Sequence, residues 1–249
     1  MELTRKIRKM KINNDTLVGD IVSENYRLAS YFKKQKIDFC CNGNRSLATV
    51  CTKKNIPVET MLQDIESILQ TQKEEHNYQS WDIGFLTDYI YQNHHSYVEE
   101  KITEIKPYLN KICSVHGQEH PELFEIKELF EASANDLTQH MKKEELILFP
   151  YFKKLVQAEK EGTALVARQF DTVESPIAQM HVDHNDEGER FRKIEELTNN
   201  YTPPADACNT YRVSFSLLKE FQDDLHKHIH LENNILFKKA IELEQKLKK

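Results

Sequence analysis

HMKKEELILF at residues 140–149 returns later in the chain as HIHLENNILF at residues 228–237. Both read H-x-x-x-E-x-x-I-L-F, a histidine and a glutamate four residues apart ahead of the same apolar trio. On a helix, residues i and i+4 project from one face one turn apart, so each copy stacks an imidazole on a carboxylate. The apolar ladders around the copies show which face that is. Leu218, Phe221, Leu225, His228, Glu232 and Ile235 succeed one another in steps of three and four, and so do Leu137, His140 (or Met141), Glu144, Leu148, Tyr151 and Leu155. The polar pairs therefore occupy the core stripe, where a bundle packs its interior. A buried carboxylate without a partner is costly or loses its charge. One H-x-x-x-E alone reads as a hydrogen-bonded core pair; two copies in phase with their core stripes read as two halves of a metal site.

The rest of the composition agrees with a helical protein. The 249 residues have room for one large domain or two small ones. They are 30% charged and 39% hydrophobic, with 6 Gly and 7 Pro, a balance that favours long amphipathic helices over sheet. A net charge of −6 offers no basic face for nucleic acid. No run approaches the roughly 18 apolar residues of a membrane span. The opening MELTRKIRKMKINNDT is basic without an apolar core, so it is not expected to be a secretory signal. Five scattered cysteines point to a reducing, cytoplasmic setting, not to a disulfide framework.

Two domains are expected, at residues 1–75 and 76–249. In the first, Thr16 can cap a helix carrying Leu17, Ile21, Tyr26, Leu28 and Phe32. A turn comes next in IDFCCNGNRS at Asn42-Gly43-Asn44, then short helices at 47–54 and 58–69. The polar TQKEEHNYQS, residues 71–80, reads as a linker. From Trp81 onward four long helical patterns predict an all-α, up-down four-helix bundle. The first runs from about 82 to 113, with Pro107 a kink or break, and the second from near His120 to Glu161 with Pro121 in its first turn. A connection of unassigned structure spans 162–174. The third starts at the cap pair Ser175-Pro176 and ends at the Asn199-Asn200 turn, and the fourth comes after Thr202-Pro203-Pro204.

A metal site in the bundle core should draw on all four helices. On the third, the inward ladder Ile177, His181 (or Met180), His184, Gly188, Phe191 and Ile194 offers His184, with His181 one turn before it. On the first, Tyr91, His95, Val98, Ile102, Ile105 and Leu109 favours His95; the rival ladder Ile90, His94, Tyr97 soon meets Lys101, which leaves His94 behind the ligand. The candidate metal ligands are His95, His140, Glu144, His184, His228 and Glu232. Four imidazoles and two carboxylates exceed the usual four ligands of a single zinc. Two first-row metals, each with two histidines and both sharing Glu144 and Glu232 as bridges, use every ligand, and mixed nitrogen and oxygen donors with open positions suit iron. A solvent-derived oxo or hydroxo bridge is expected to help fill the coordination. Gly188 either leaves room for a small ligand or permits close helix packing. His226 and His230 should point sideways or outward, and His76, His116 and His120 should lie at the surface or in caps. His181 should pack behind the ligands or line the pocket, and Asp183, Asp186 and Asp224 could orient ligating imidazoles. Cys51, Cys113 and Cys208 are expected to be buried or incidental.

HMKKEELILFP, MHVDHNDEGE and DDLHKHIHLENNILF resemble the hemerythrin-like domain of bacterial di-iron proteins that repair iron–sulfur clusters. VGDIVSENYRLASYFKKQKIDFCCNGNRSLATVC resembles the small N-terminal domain that accompanies it. Together the two similarities cover nearly the whole chain. The resemblance places the family's metal ligands on the same six residues and implies two iron ions in a non-haem centre. It also implies a stress role in restoring clusters damaged by nitric oxide or peroxide, with damaged iron–sulfur proteins as partners and a homodimer as assembly. Iron donation and reduction of nitric oxide are both implied as chemistry, so whether the protein is an enzyme stays open. The alternative is a sensor or carrier that binds oxygen or nitric oxide reversibly. Respiratory oxygen carriers of the hemerythrin type are expected to use five histidines and two carboxylates, whereas two H-x-x-x-E turns shift the balance away from oxygen carriage. The E-x-x-H signature of ferritin-like oxidases has the opposite order and a different spacing. Cys40 and Cys41, adjacent thiols ahead of an Asn-Gly turn, are catalytic candidates able to bind iron, react with nitric oxide or exchange disulfides. Alternatively they are two small residues at a corner; the resemblance raises the functional reading.

Overall fold

The structure, a computed structural model, describes residues 11–70, 77–163 and 170–248. It divides into two compact units, Met1–Ser80 and Trp81–Lys249. The expected domain boundary and most of the expected linker fall on residues 71–76, outside the described residues, as do the basic first ten residues, His76, and residues 164–169 of the connection before the third bundle helix.

The first unit holds α1 (Val18–Glu24), α2 (Leu28–Lys34), α3 (Leu47–Lys54) and α4 (Val58–Gln70). The single helix expected across the first two is broken at Asn25, which is extended (φ −151°) and whose side-chain oxygen accepts the Arg27 N–H at 3.1 Å. That local bond competes with the helix ladder, as Asn side chains commonly do. Thr16 does not cap: Leu17 is the cap residue, and the Thr16 hydroxyl is engaged with Asn13. Ser46 does cap α3, accepting the Thr49 N–H at 3.2 Å. Val18, Ile21, Phe32, Leu47, Met61 and Ile65 form the buried centre of this unit. The turn after α2 needs a glycine at 43, where a Cβ would lie 2.3 Å from the Phe39 carbonyl oxygen and 2.9 Å from the Gly19 Cα.

The second unit is a bundle. Its first helix is α5 (Ile83–Ile90), a π turn (Tyr91–His95) and α6 (Ser96–His116). The second is α7 (Glu122–Lys143), a π turn (Glu144–Leu148) and α8 (Phe149–Glu161). The third is the uninterrupted α9 (Glu174–Leu197), and the fourth is α10 (Asn209–Leu231), a π turn (Glu232–Leu236) and α11 (Phe237–Leu247). α6 packs on α7 and α10, and α9 packs on the same two, closing a ring of neighbours in up-down order. Phe130, Phe191 and Phe221 meet in the interior, with ring centroids 5.4 and 5.5 Å apart. Among the described residues there is no strand beyond an isolated bridge between Leu17 and Ser46, and no helix long and apolar enough to cross a membrane.

Pro107 neither breaks nor ends α6, because it lies on an exposed face where the carbonyl it leaves without an amide partner meets water. The third helix begins one residue before the expected Ser175-Pro176 pair, with Val173 as its cap residue and no side-chain cap bond. The turn at Asn199-Asn200 extends to Tyr201, and all three have left-handed backbone (φ 47°, 55° and 56°). A tyrosine there costs on the order of 1–2 kcal/mol. Burial of the Tyr201 ring and the bond from its N–H to the Thr198 hydroxyl (3.0 Å) hold it in place.

The three π turns set the geometry of the bundle's middle. Each is closed by an N–H bonded five residues back: Ser96 to Tyr91, Phe149 to Glu144 and Phe237 to Glu232. A π turn takes up one residue more than an α turn and is frequently found at functional sites. Adjacent side chains on an α-helix diverge by about 100°. In the π turns that divergence is reduced, so His94 and His95 are both buried, as are Glu232, Asn233 and Asn234.

Candidate metal centre

The six candidate ligands come together in the middle of the bundle, each no more than 3% exposed. They form two groups of four, His95 with Glu144, His228 and Glu232, and His140 with Glu144, His184 and Glu232. Within each group the donor atoms lie within 4.8 Å of one another, and the two glutamates belong to both. In the first group, Nε2 of His95 is 3.3 Å from Glu144 Oε2 and 3.8 Å from Glu232 Oε1, and Nε2 of His228 is 2.9 Å from Glu232 Oε1. In the second, Nε2 of His140 is 3.5 Å from Glu144 Oε2 and Nε2 of His184 is 3.2 Å from Glu232 Oε2. The Nε2 atoms of His140 and His184 are 3.0 Å apart. That is the separation of two nitrogens bound side by side at right angles to one metal at roughly 2.1 Å each.

Hydrogen bonding within the protein leaves this cluster incomplete. Among the described residues, both carboxylate oxygens of Glu144, Oε2 of Glu232 and Nε2 of His95 are buried without a hydrogen bond. Buried polar atoms are rarely left so, and here they converge on common points. The donors present, four imidazoles and two carboxylates, fit two first-row cations sharing the glutamates.

The Nδ1 atoms face away from the centre, and three are fixed by bonds that leave Nε2 turned inward. His95 donates to Glu145 Oε1 (3.0 Å), His140 to Asp183 Oδ2 (3.2 Å) and His184 to Asn233 Oδ1 (2.8 Å). Such outer partners set the tautomer and raise ligand basicity. Nδ1 of His228 has no hydrogen-bond partner among the described residues. His94 stacks parallel on the His228 ring, at 5.5 Å between centroids, and bonds Asp224 through its own Nδ1 at 2.9 Å. His94 belongs to neither group of four. Phe149 stacks on His95 (5.3 Å) and Phe237 on His184 (6.1 Å), walling the centre from water.

The charges in the metal-free protein arise from this packing. Burial and the neighbouring Glu232 raise Glu144, but His140 and His95 outweigh them and hold it below the usual carboxylate range. Glu232 is likewise raised by burial and held well below that range by His228, His184 and His95. Burial lowers His95, yet Glu144 and Glu232 bring it to about 10; burial also lowers His140, and Glu144 and Asp183 bring it to about 10. Protons thus occupy the place of positive charge between the carboxylates. His228 is the reverse case, lowered chiefly by burial.

A cavity of about 110 Å³ reaches His140 and His184 between Asp136, Lys143, Asp183 and Glu187. Glu187 is buried, raised by that burial, and bonded to Ser133 (2.5 Å) and Arg190.

The core ladders do not reveal all of these outer partners. Glu145 and Asn233 occupy the same place in the two copies, directly after the shared glutamate, and that equivalence is the signal the sequence holds for them. Of the three aspartates expected near imidazoles, Asp183 orients His140, Asp224 bonds His94, and Asp186 is exposed. His230, expected to face sideways or outward, is fully buried beside Asn234 (3.2 Å), because the π turn brings Asn234 inward; His226 is half-buried. His181 is half-buried with its ring edge on Phe237 (5.8 Å), and Gly188 is buried on α9 one turn beyond His184.

In the first unit, Asp38, Cys40 and Cys41 form a third group of potential ligands. The two sulfurs are 3.7 Å apart, and Asp38 Oδ1 accepts the backbone N–H groups of Cys40 (3.1 Å), Cys41 (3.0 Å) and Asn42 (3.3 Å). The bond with Cys41 and burial push the Cys40 thiol well up, so it stays protonated.

A family model described as the hemerythrin HHE cation-binding domain matches residues 86–240, and one described as a domain of unknown function (DUF542) matches residues 14–69. The chain is 31% identical over 228 residues to the iron–sulfur cluster repair protein ScdA of Staphylococcus haemolyticus, covering 92% of this chain and 99% of that one. It is 33% identical over 218 residues to the iron–sulfur cluster repair protein YtfE of Yersinia pestis, covering 86% and 91%.

Proposed function

This chain belongs to the family of iron–sulfur cluster repair proteins that carry a hemerythrin HHE cation-binding domain, and from that membership we propose that it repairs clusters by way of a non-haem di-iron centre. His95, His140, Glu144, His184, His228 and Glu232 would hold two irons, with the glutamates and a solvent-derived oxo or hydroxo group as bridges. The observation that carries this reading is the pair of four-residue groups sharing both carboxylates. Bound iron there supplies reversible ferrous–ferric chemistry and a store of iron for delivery. The clients are damaged iron–sulfur proteins, and the damage is nitrosative or oxidative.

The chain's own residues determine how such a centre behaves. Glu145, Asp183 and Asn233 hold three imidazoles with Nε2 turned inward. Phe149 and Phe237 keep water from two of the rings. The polar cavity meets only His140 and His184 among the six, which supports exchange of the iron at that half before the other. Cys40 and Cys41 are the thiols that would meet a client or a diatomic ligand in the first unit, and Cys40→Ala with Cys41→Ala should leave the di-iron spectrum unchanged.

Anaerobic iron loading, then metal quantitation and Mössbauer spectroscopy, tests the centre. The expected result is two irons per chain with coupled spins; one iron per chain would refute it. Release to a ferrous chelator should then be biphasic. Transfer to a cluster-depleted ferredoxin separates iron donation from chemistry on nitric oxide, which a nitric oxide titration reads directly. Stoichiometric, reversible binding of nitric oxide or oxygen without repair of the ferredoxin would favour a carrier instead.

A further inference from the structure

Cys208 is the residue directly ahead of α10, and it is exposed. The sequence groups it with Cys51 and Cys113 as buried or incidental, but its surroundings differ from theirs. Cys51 lies buried with its sulfur 3.5 Å from that of Met61, and Cys113 lies buried with its thiol donating to the Leu123 carbonyl at 3.2 Å. Burial raises both thiols.

The Cys208 sulfur is 3.2 Å from Nε2 of His116, the last residue of α6. The sulfur also stands at the first turn of a 23-residue helix, where the backbone N–H groups of Thr210 and Tyr211 and the helix dipole favour negative charge. His116 and His120 both pack on the Tyr211 ring, at 5.3 and 5.7 Å. Asp206 and Glu122 are the nearby acids, and both are engaged with His120, at 3.1 Å each. The groups around the thiol are thus His116 from α6, His120 and Glu122 at the entry to α7, and Asp206 and Tyr211 beside Cys208 itself. The Tyr211 N–H and the His116 imidazole together bring the thiol down to about 7. An exposed sulfur paired with an imidazole at the start of a helix is a reactive one.

We infer that Cys208 and His116 form a thiolate–imidazole pair that reacts with small-molecule disulfides, giving the bundle a thiol-modification site separate from its metal centre. His228 lies near the far end of α10, roughly 30 Å along the axis from Cys208 at the helical rise. In the reaction the thiol proton passes to Nε2 of His116 and Sγ attacks one sulfur of the disulfide. The bond from Sγ to that sulfur forms as the original S–S bond breaks. The departing thiolate takes the proton back from His116. Cys208 is oxidised to a mixed disulfide and the other half of the reagent is reduced to a thiol, so the step needs no further oxidant.

The test uses the full, iron-loaded chain. Alkylation of each cysteine by iodoacetamide is monitored peptide by peptide by mass spectrometry between about pH 5.5 and 9.5, a range spanning ordinary and activated thiols. The expected midpoint for Cys208 is near 7, against about 8.5 for an ordinary thiol, and His116→Gln should move it upward by about one unit. The gain in rate at pH 7 is only about threefold, because a less basic thiolate is also a weaker nucleophile, so the midpoint decides. Oxidised glutathione at pH 7 should form the mixed disulfide at Cys208 well before Cys51 or Cys113. A wild-type midpoint near that of an ordinary thiol, a midpoint unmoved by His116→Gln, or equal modification of Cys113 would each overturn the proposal. The wild-type profile decides even if the variant folds poorly, and an intact di-iron spectrum in the variant confirms that it folds.

Discussion

After the shared carboxylate of the first copy of the repeat, the chain faces outward: Leu146 is 71% exposed and Ile147 40%. After that of the second it faces inward, with Asn234 5% exposed and Ile235 1%. Of the shared letters I-L-F, the leucine and phenylalanine are buried in both copies and the isoleucine differs, since α5 packs on the second π turn. What the copies have in common is narrower. In each, the glutamate opens a π turn and stands in both four-residue groups. In each, the next residue accepts a hydrogen bond from an imidazole on another helix, Glu145 from His95 and Asn233 from His184. The repeat therefore encodes ligand geometry and the phenylalanine that walls it, while burial at the two positions after Glu145 and Asn233 is supplied separately by the neighbours of each copy.

If the copies are equal as ligands, Glu144→Ala and Glu232→Ala should do equal harm. Each removes a donor from both metals, so affinity should fall at least about a hundredfold for each ion and spin coupling should vanish, read by metal content and Mössbauer spectra. Loss of only one metal in either variant would mean that its carboxylate is not shared. If the copies are unequal in packing, Ile235→Ala should cost about 2–5 kcal/mol in denaturant unfolding and Ile147→Ala less than about 1 kcal/mol. Equal costs would mean that the two copies are packed alike after all. Glu145→Ala and Asn233→Ala should each weaken iron binding about ten- to a hundredfold while leaving two irons bound at saturation. The carboxylate variant should lie toward the larger figure, because it also removes a charge.

A last effect concerns the metal-free protein. His95 and His140 are raised to about 10, so their contribution to stability is complete below the unfolded histidine value near 6.5 and is lost as pH rises through 10. Glu144 and Glu232 are lowered, so theirs is present above the unfolded value of about 4.3 and lost as pH falls below it. Melting temperatures of the metal-free chain should therefore be highest between these limits and decline by several degrees toward pH 9. The iron-loaded chain should lack the alkaline decline, since metal replaces the protons.

The spacing of four and the core ladders are enough to place all six candidate ligands on inward faces and to assemble an all-α bundle. They cannot reveal the π turns. A hydrophobic ladder records which residues face inward, and one extra residue in a turn alters the hydrogen bonding without erasing the ladder. For the same reason, regular α geometry would point Glu145 and Asn233 about 100° away from the centre. Cys208 escapes the sequence differently: its character comes from His116, far away in sequence, and from the start of a helix whose first residue no side-chain cap signals. Thr16, by contrast, carries the correct chemistry for a cap and uses it on Asn13.

Because a π turn is one residue lodged in an otherwise α-helical rod, the support behind a ligand can be altered without deleting the fold. Removing a single residue from 145–147 would let the helix close as an ordinary α turn, with Phe149, Tyr151 and Leu155 keeping their inward register. The same cut elsewhere in α7 or α8 would instead rotate everything beyond it by about 100° and turn the core outward. A bundle that has lost the extra residue would therefore keep its fold and all six candidate ligands, and lose the placement of Glu145 behind His95.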